Sequence, residues 1–257
     1  MNAIILIFIF LFGLIIGSFL NCLIWRLRKK ESIMGRSYCP ECRQQIAWYD
    51  NMPVLSFLLL RGKCRHCHKK ISWQYPAVEL ITGILFVAVF IKNAFSSEFI
   101  IHDSLFIIQT VRDCFLISVM IIIFIYDLRW YLILDSVTIP AAIIIFFLNL
   151  LFGFNLWNLA ISVIIGGSFF LIQFLISQGK WIGGGDIRLG VLMGAALGWP
   201  YVLLAIFISY LIGSAVGVGL MLVGKKQMGS KVPLGTFLAV GTVITLFLGE
   251  KILAWYL

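Results

Sequence analysis

The sequence predicts an all-α polytopic membrane protein of about eight transmembrane helices, with a small polar insert between the first and second. Three observations carry this. The chain is 61% hydrophobic and only 12% charged, where a soluble domain carries roughly 25% charged residues. Apolar runs recur along all 257 residues, without low-complexity segments or a tandem repeat. The basic residues are concentrated, with eleven of the twenty Lys and Arg lying between Arg26 and Trp73.

Each element follows from its residues. Ala3 to Trp25 exceeds the ~20 residues that a helix needs to cross a bilayer. No basic residue precedes it and no small-x-small site closes a short apolar region, so it reads as a retained helix rather than a cleaved signal. Residues 26–75 form the polar insert, which holds three of the eleven acids and a local charge of +8. Pro76 to Ile91 is a second span, and Lys92 to Asp103 a polar connection. Leu105 to Tyr126 is a third span, interrupted by Arg112-Asp113. A fourth begins at Leu132 or Asp135 and runs to about Phe152. Leu156 to Ile176 is a fifth. Ile187–Leu197 and Tyr201–Val223 are a sixth and a seventh, broken at Gly198-Trp-Pro200. After a basic loop at 225–231, Pro233 to Leu257 is an eighth. The chain thus divides into a first helix (1–25), the insert (26–75) and a helical core (76–257).

Charge orients these spans. If Met1 lies outside, the insert, the Asp127–Tyr131 and Gln178–Gly185 links and the 225–231 loop all face the cytoplasm. Seventeen of the twenty cations, Arg188 included, then fall at the inner face and three elsewhere, as the positive-inside rule requires. The same alternation accounts for the net charge of +9 without nucleic acid as a partner; the partner is the lipid bilayer. It also brings Asp127 and Asp186 to one membrane face.

The insert carries Cys39-Pro-Glu-Cys42 and Cys64-Arg-His-Cys67, two C-x2-C knuckles separated by 21 residues. That spacing is close to the four-cysteine zinc pattern. One tight turn can present two thiolates to a tetrahedral ion. Two disulfides are the alternative, but a cytoplasmic loop is held reduced. We therefore expect Cys39, Cys42, Cys64 and Cys67 to hold one structural zinc, a metal staple for a small polar insert. His66 and His68 are spare ligands. Cys22 and Cys114, in apolar runs, are expected to pack as small hydrophobes.

The stretch Lys180-Trp-Ile-Gly-Gly-Gly-Asp-Ile-Arg-Leu-Gly190 places Asp186 after three glycines. A carboxylate at the edge of a membrane helix is costly and marks a functional site by default. A second carboxylate, Asp127, ends the apolar run Cys114–Tyr126. Two carboxylates that share a proton hold one member neutral and one charged. The charged member takes a proton from water while the neutral one polarises an amide carbonyl. Asp186 alone would read as a helix cap, and Asp127 could instead pair with Arg129 or Arg188. Asp135, in Asp135-Ser-Val-Thr-Ile-Pro140, is a rival partner whose setting reads better as a helix start, with Asp135 or Ser136 as the cap. Glu79 near the end of the second span is a supporting candidate, and Arg112-Asp113 a local ion pair.

Together these residues resemble the type IV prepilin peptidases, the bacterial A24-type aspartyl peptidases. Gly17-Ser-Phe-Leu-Asn21 with Arg26 is similar to the opening motif of that family. The two knuckles, Trp48-Tyr-Asp-Asn-Met-Pro-Val-Leu-Ser56, Leu60-Arg-Gly-Lys-Cys64, Ile71-Ser72 and Tyr75-Pro-Ala-Val-Glu-Leu80 resemble its insert and the helix after it. Gly183-Gly-Gly-Asp186 matches the Gly-x-Gly-Asp signature, and Val232-Pro-Leu-Gly235 a late motif. The resemblance implies cleavage of prepilin or pseudopilin leaders at the cytoplasmic face, with Asp127 and Asp186 catalytic and Gly183 and Gly185 in the active-site loop. Many members then methylate the new amino terminus with S-adenosylmethionine. No glycine-rich strand–turn–helix pattern for that cofactor is present, so methylation rests on the resemblance alone. The chain departs from the family pattern at Ile133-Leu134-Asp135, where Ile-Pro-Asp is common, and at Arg188, where Lys is common.

Two other functions compete. An ion-coupled transporter would also carry membrane carboxylates, but near the midplane and with inverted repeats. A zinc-bearing adaptor would need no acid pair.

Overall fold

The computed structural model describes residues 3–96, 104–224 and 232–256. Residues 97–103 of the polar connection and the basic loop at 225–231 lie outside the described residues. Among the described residues the fold is all helical, apart from two isolated β-bridges. The chain forms two compact units, Met1–His102 and Asp103–Leu257.

The first unit contains α1 (Ala3–Lys29), a 3-10 turn (Trp48–Asn51), α2 (Leu55–Leu59) and α3 (Gln74–Ser96). The two long helices pack on each other through small residues. A Cβ added at Gly13 would lie 2.7 Å from the Cα of Gly83, and one at Gly17 2.7 Å from the Cα of Glu79. Gly13 and Gly17 are one helical turn apart, the small-xxx-small spacing that lets membrane helices approach closely. Polar bonds then fix the register. Asn21, 2% exposed, donates to the Tyr75 carbonyl at 3.1 Å and accepts from Gln74 at 3.1 Å.

Where α1 ends, the buried Arg26 gathers the chain that follows. Its guanidinium donates to the carbonyls of Ser32, Ile33, Gly35 and Arg36. A planar fork with five donors can satisfy a curled backbone in this way. Glu79, also buried, accepts the Val54 N–H at 2.7 Å. Val54 has φ 61°, a left-handed conformation costly for a β-branched residue, and the carboxylate bond secures it.

The second unit contains α4 (Ser104–Trp130), α5 (Asp135–Leu151), α6 (Leu156–Ser177), α7 (Gly184–Leu197), α8 (Tyr201–Leu222) and α9 (Leu234–Tyr256). Helix α7 packs against its neighbours α5, α6, α8 and α9, and nine of its fourteen residues are buried. It crosses α6 backbone to backbone, since a Cβ on Gly166 or Gly190 would collide with the carbonyl of the other.

Six helices are long and apolar enough to cross a membrane: α1, α3, α4, α6, α8 and α9. The remaining two expected spans are shorter, at 17 residues for α5 and 14 for α7. At 1.5 Å per residue, α7 measures about 21 Å against a hydrocarbon core of ~30 Å. It is short because it starts at the glycine run and ends at Gly198, whose φ is 72°.

Two boundaries differ from expectation with consequences for function. Helix α4 does not stop at Tyr126. It continues through Asp127 to Trp130 and ends at Tyr131, which takes the left-handed φ of 54°. Asp127 therefore projects from the last turn of a helix, not from a loop. Asp135 is not a cap either, and neither is Ser136. The cap position of α5 is Leu134, which makes no side-chain cap bond, and Asp135 is the first helical residue. Its carboxylate pairs with Arg188 instead.

Candidate active site and metal site

Asp127 is 5% exposed, and its Oδ2 accepts the Thr236 N–H at 2.8 Å and the Thr236 hydroxyl at 3.3 Å. Thr236 is in the first turn of α9, immediately after Pro233, Leu234 and Gly235. The first N–H groups of a helix have no partner within it and carry partial positive charge, so a carboxylate from another helix is a natural occupant. Gly235 makes room. A Cβ there would sit 3.0 Å from Asp127 Oδ2 and 2.8 Å from Ile133 Cδ1.

Asp186 is 7% exposed and lies in the first turn of α7, where its Oδ2 accepts the Gly183 N–H at 2.9 Å. The helix starts at Gly184 and not at Ile187, so the cap position is Gly183 and Asp186 is the third helical residue, reaching back to the N–H of the cap. Of the three glycines before it, only Gly185 is forced by packing, because a Cβ there would lie 2.8 Å from the Cβ of Ile133. Gly184 faces open space.

Ile133, in the link between α4 and α5, thus touches both Gly185 and Gly235. It is the wedge against which the two carboxylate-bearing ends are set. Asp127 lies against Gly235 and Asp186 follows Gly185, so the two carboxylates flank the same side chain. Backbone N–H groups hold both carboxylates, those of Thr236 and Gly235 at Asp127 and that of Gly183 at Asp186. Such a pair can hold one proton between two carboxyl groups.

Other candidates fall elsewhere. The Asp135–Arg188 pair is about half exposed on both sides. Arg112 and Asp113 do form a local ion pair, with the Arg112 Nε 2.9 Å from Asp113 Oδ1. Arg112 also donates to Asn149 Oδ1 at 2.6 Å, and Asn149 donates to the Ala195 carbonyl at 2.7 Å. This network ties α4, α5 and α7 together 15 residues along α4 from Asp127, roughly 22 Å away at helical rise. Thr236 and Ile133 carry the geometry of the site, and sequence reasoning missed both roles. The available signal was Pro233 before an apolar run, which marks a helix start and hence free N–H groups.

In the insert, Cys39, Cys42, Cys64 and Cys67 bring their sulfurs within 4.8 Å of one another. None of the described cysteines is in a disulfide. The Cys39 and Cys67 sulfurs are 3.9 Å apart. Four thiolates at the zinc–sulfur distance of ~2.3 Å in a tetrahedron stand about 3.8 Å apart, so the cluster fits such an ion. Two matching hairpins build it. Cys39 N–H bonds the Gln44 carbonyl and Cys64 N–H the Lys69 carbonyl, each at 2.9 Å. The residue after each second cysteine, Arg43 and His68, turns with φ 58° and 55°. The Cys67 backbone N–H beside Cys64 pulls that thiol down to about 7. Cys67 feels the Lys69 backbone N–H, which favours its thiolate, but burial and the neighbouring thiols outweigh it and push it up to about 11. A coordinating cation would hold all four as thiolates at neutral pH. Cys22 and Cys114 are half-buried.

The fold and these two centres define a class: an all-helical polytopic protein with an internal carboxylate pair and a four-thiol insert. Residues 11–93 match the model of the bacterial peptidase A24 N-terminal domain, and residues 114–218 match that of the type IV leader peptidase family. A Bacillus subtilis protein named prepilin leader peptidase/N-methyltransferase is 32% identical, over 97% of this chain and 96% of its own. A protein of the same name from Aeromonas hydrophila is 32% identical over 97% of this chain and 92% of its own. One from Myxococcus xanthus is 32% identical over 88% of this chain and 65% of its own. No solved structure matches. The chain belongs to the type IV leader peptidase family, and is a peptidase.

Proposed function

We propose that this chain is a membrane aspartyl endopeptidase that removes the leader from type IV prepilins or pseudopilins at the cytoplasmic face, with Asp127 and Asp186 as its catalytic pair. One observation carries the reading: two buried carboxylates from separate helices are set beside Ile133, each bound by backbone N–H groups at a helix start. The ionised carboxylate takes a proton from water as it attacks the peptide carbonyl. The protonated one donates a hydrogen bond to that carbonyl as charge develops on oxygen. Gly183 and Gly185 form the loop beside the pair. Gly185 allows the approach, and the open space at Gly184 is where substrate backbone enters.

The chain crosses the bilayer eight times, with α5 and α7 as the short crossings, the amino terminus outside and the insert in the cytoplasm. The support is the excess of Lys and Arg in the links at one face. Asp127 and Asp186 lie at that face, so the substrate's apolar helix enters from the bilayer while its leader stays in the cytoplasm. Cys39, Cys42, Cys64 and Cys67 hold a structural zinc that staples the insert. The relatives' names pair the peptidase with an N-methyltransferase. We extend that second activity to this chain, with S-adenosylmethionine as methyl donor. A transporter is disfavoured because the carboxylates end their helices instead of sitting at mid-length.

The test is mass measurement of a prepilin after incubation with purified protein. Loss of the leader mass reports cleavage, and a further gain of one methyl with S-adenosylmethionine present reports the second activity. An intact substrate with correctly folded protein would contradict the proposal.

A further inference from the structure

Three cations of the insert, Arg61, Lys63 and Lys70, surround a cleft of about 350 Å³ whose apolar wall includes Phe57, Leu58 and Trp73. No acidic residue lines it. None of the three has an ion-pair partner among the described residues, whereas their neighbours do: Arg65 pairs with Asp50 at 2.6 Å and Lys69 with Glu41. Lys63 and Lys70 face each other across an antiparallel bridge. Like charges directly opposite each other repel, and an anion between them would relieve that repulsion.

The cleft is braced by local contacts and adjoins the start of a helix apolar enough to span. The Phe57 and Trp73 rings pack with centroids 4.9 Å apart. The Ile71 N–H donates to the Gly62 carbonyl at 2.8 Å, closing the base of the Cys64–Cys67 hairpin. Trp73 is the residue before α3, a helix apolar enough to span, and tryptophan favours the headgroup level. Helix α2 turns Phe57 inward and leaves Leu55, Leu58 and Leu59 exposed at 50%, 62% and 73%. Those three lie on one helical face, the pattern of a helix lying in the interface.

We propose that this cleft binds the headgroup of an anionic glycerophospholipid of the adjoining leaflet. The phosphate sits among Arg61, Lys63 and Lys70, and the acyl chains run along the leucine face of α2. The inference is independent of the peptidase reading. It predicts that the insert lies down on an anionic leaflet.

Native mass spectrometry of the full chain in neutral detergent tests it, with three titrations: short-chain phosphatidylglycerol, short-chain phosphatidylcholine and inorganic phosphate. Phosphatidylglycerol should form a saturable adduct at concentrations where the other two do not. The combined substitution Arg61→Gln, Lys63→Gln and Lys70→Gln should weaken it about a hundredfold, roughly fivefold per cation removed, with zinc content unchanged and the melting temperature of the lipid-free protein not lowered. Equal binding of phosphatidylcholine would overturn the proposal. So would inorganic phosphate displacing the lipid at matched concentration, which would mark a free-phosphate site. Undiminished binding by the triple variant would also overturn it. Should that variant fold poorly, salt decides: wild-type binding should fall at least about tenfold from low to high ionic strength, and indifference to salt would overturn the proposal.

Discussion

Substituting Gly235 by alanine tests the wedge that sets the carboxylate pair. The new Cβ would lie 2.8 Å from Ile133 Cδ1, 3.1 Å from Ile133 Cγ1 and 3.0 Å from Asp127 Oδ2. All are tighter than ordinary contact: the end of the Ile133 side chain must shift, and the carboxylate must give by a few tenths of an ångström. Overpacking of this kind costs about 1–3 kcal/mol. If the whole cost falls on the transition state, cleavage slows about fivefold to 150-fold. Ile133→Val removes Cδ1, the shortest of the three contacts, so Gly235→Ala with Ile133→Val should recover part of the loss. Gly185→Ala should behave differently. Its Cβ would meet the Cβ of Ile133 at 2.8 Å, an atom that valine keeps, so Ile133→Val should not rescue it. The assay is the initial rate of leader release by mass, for both alanine variants with and without Ile133→Val, alongside melting temperatures. Wild-type cleavage by Gly235→Ala would refute the wedge, as would equal rescue of both variants.

Asp135→Asn removes an ion pair about half exposed on both sides; such pairs contribute about 0–1 kcal/mol, so leader release should stay within a few fold of wild type. Metal analysis of protein purified without chelator should find one zinc per chain, lost in Cys64→Ser, and thiol counting should find no disulfide. Because thiolates bind the metal, protons compete with it. The metal-free Cys64 thiol ionises near 7 and that of Cys67 only near 11, so zinc affinity should fall steadily as pH drops through 7, with protons released on binding. Asn149→Ala leaves the buried Arg112 and the Ala195 carbonyl short of a partner, at a cost of about 1–3 kcal/mol. It should lower the melting temperature more than it changes the cleavage rate of the folded protein.

The parts of this molecule legible in the sequence are those whose physics is local. Long apolar runs announce α1, α4, α6, α8 and α9, because burying that much apolar surface in lipid needs no partner. The knuckles are legible because a C-x2-C turn binds metal through residues adjacent in the chain. Asp127 and Asp186 stand out because carboxylates are costly in apolar surroundings. Their surroundings were not legible. Ile133 reads as one more apolar residue, and its role depends on two glycines that are 52 and 102 residues away in sequence. Thr236 matters through a backbone N–H, which every residue but proline has. Asp135 looked like a cap because its sequence neighbours are those of a helix start, whereas its real partner, Arg188, lies 53 residues on. The Gly13–Gly17 crossing with α3 was not read from the sequence, because two glycines in an apolar run do not say which helix they meet.

The most direct measurement is leader cleavage by Asp127→Asn, with Asp186→Asn, Asp135→Asn and the 127/186 double variant measured in parallel. Asparagine keeps the shape and the acceptor for Thr236 or Gly183 but cannot ionise. Asp127→Asn and Asp186→Asn should each nearly abolish cleavage, and the double variant should be little worse than either, as for residues that act as a unit. Methylation of a pre-cleaved substrate should survive. Near-normal cleavage by a well-folded Asp127→Asn protein would contradict the carboxylate pair, and a dead Asp135→Asn would move the partner of Asp186 to Asp135.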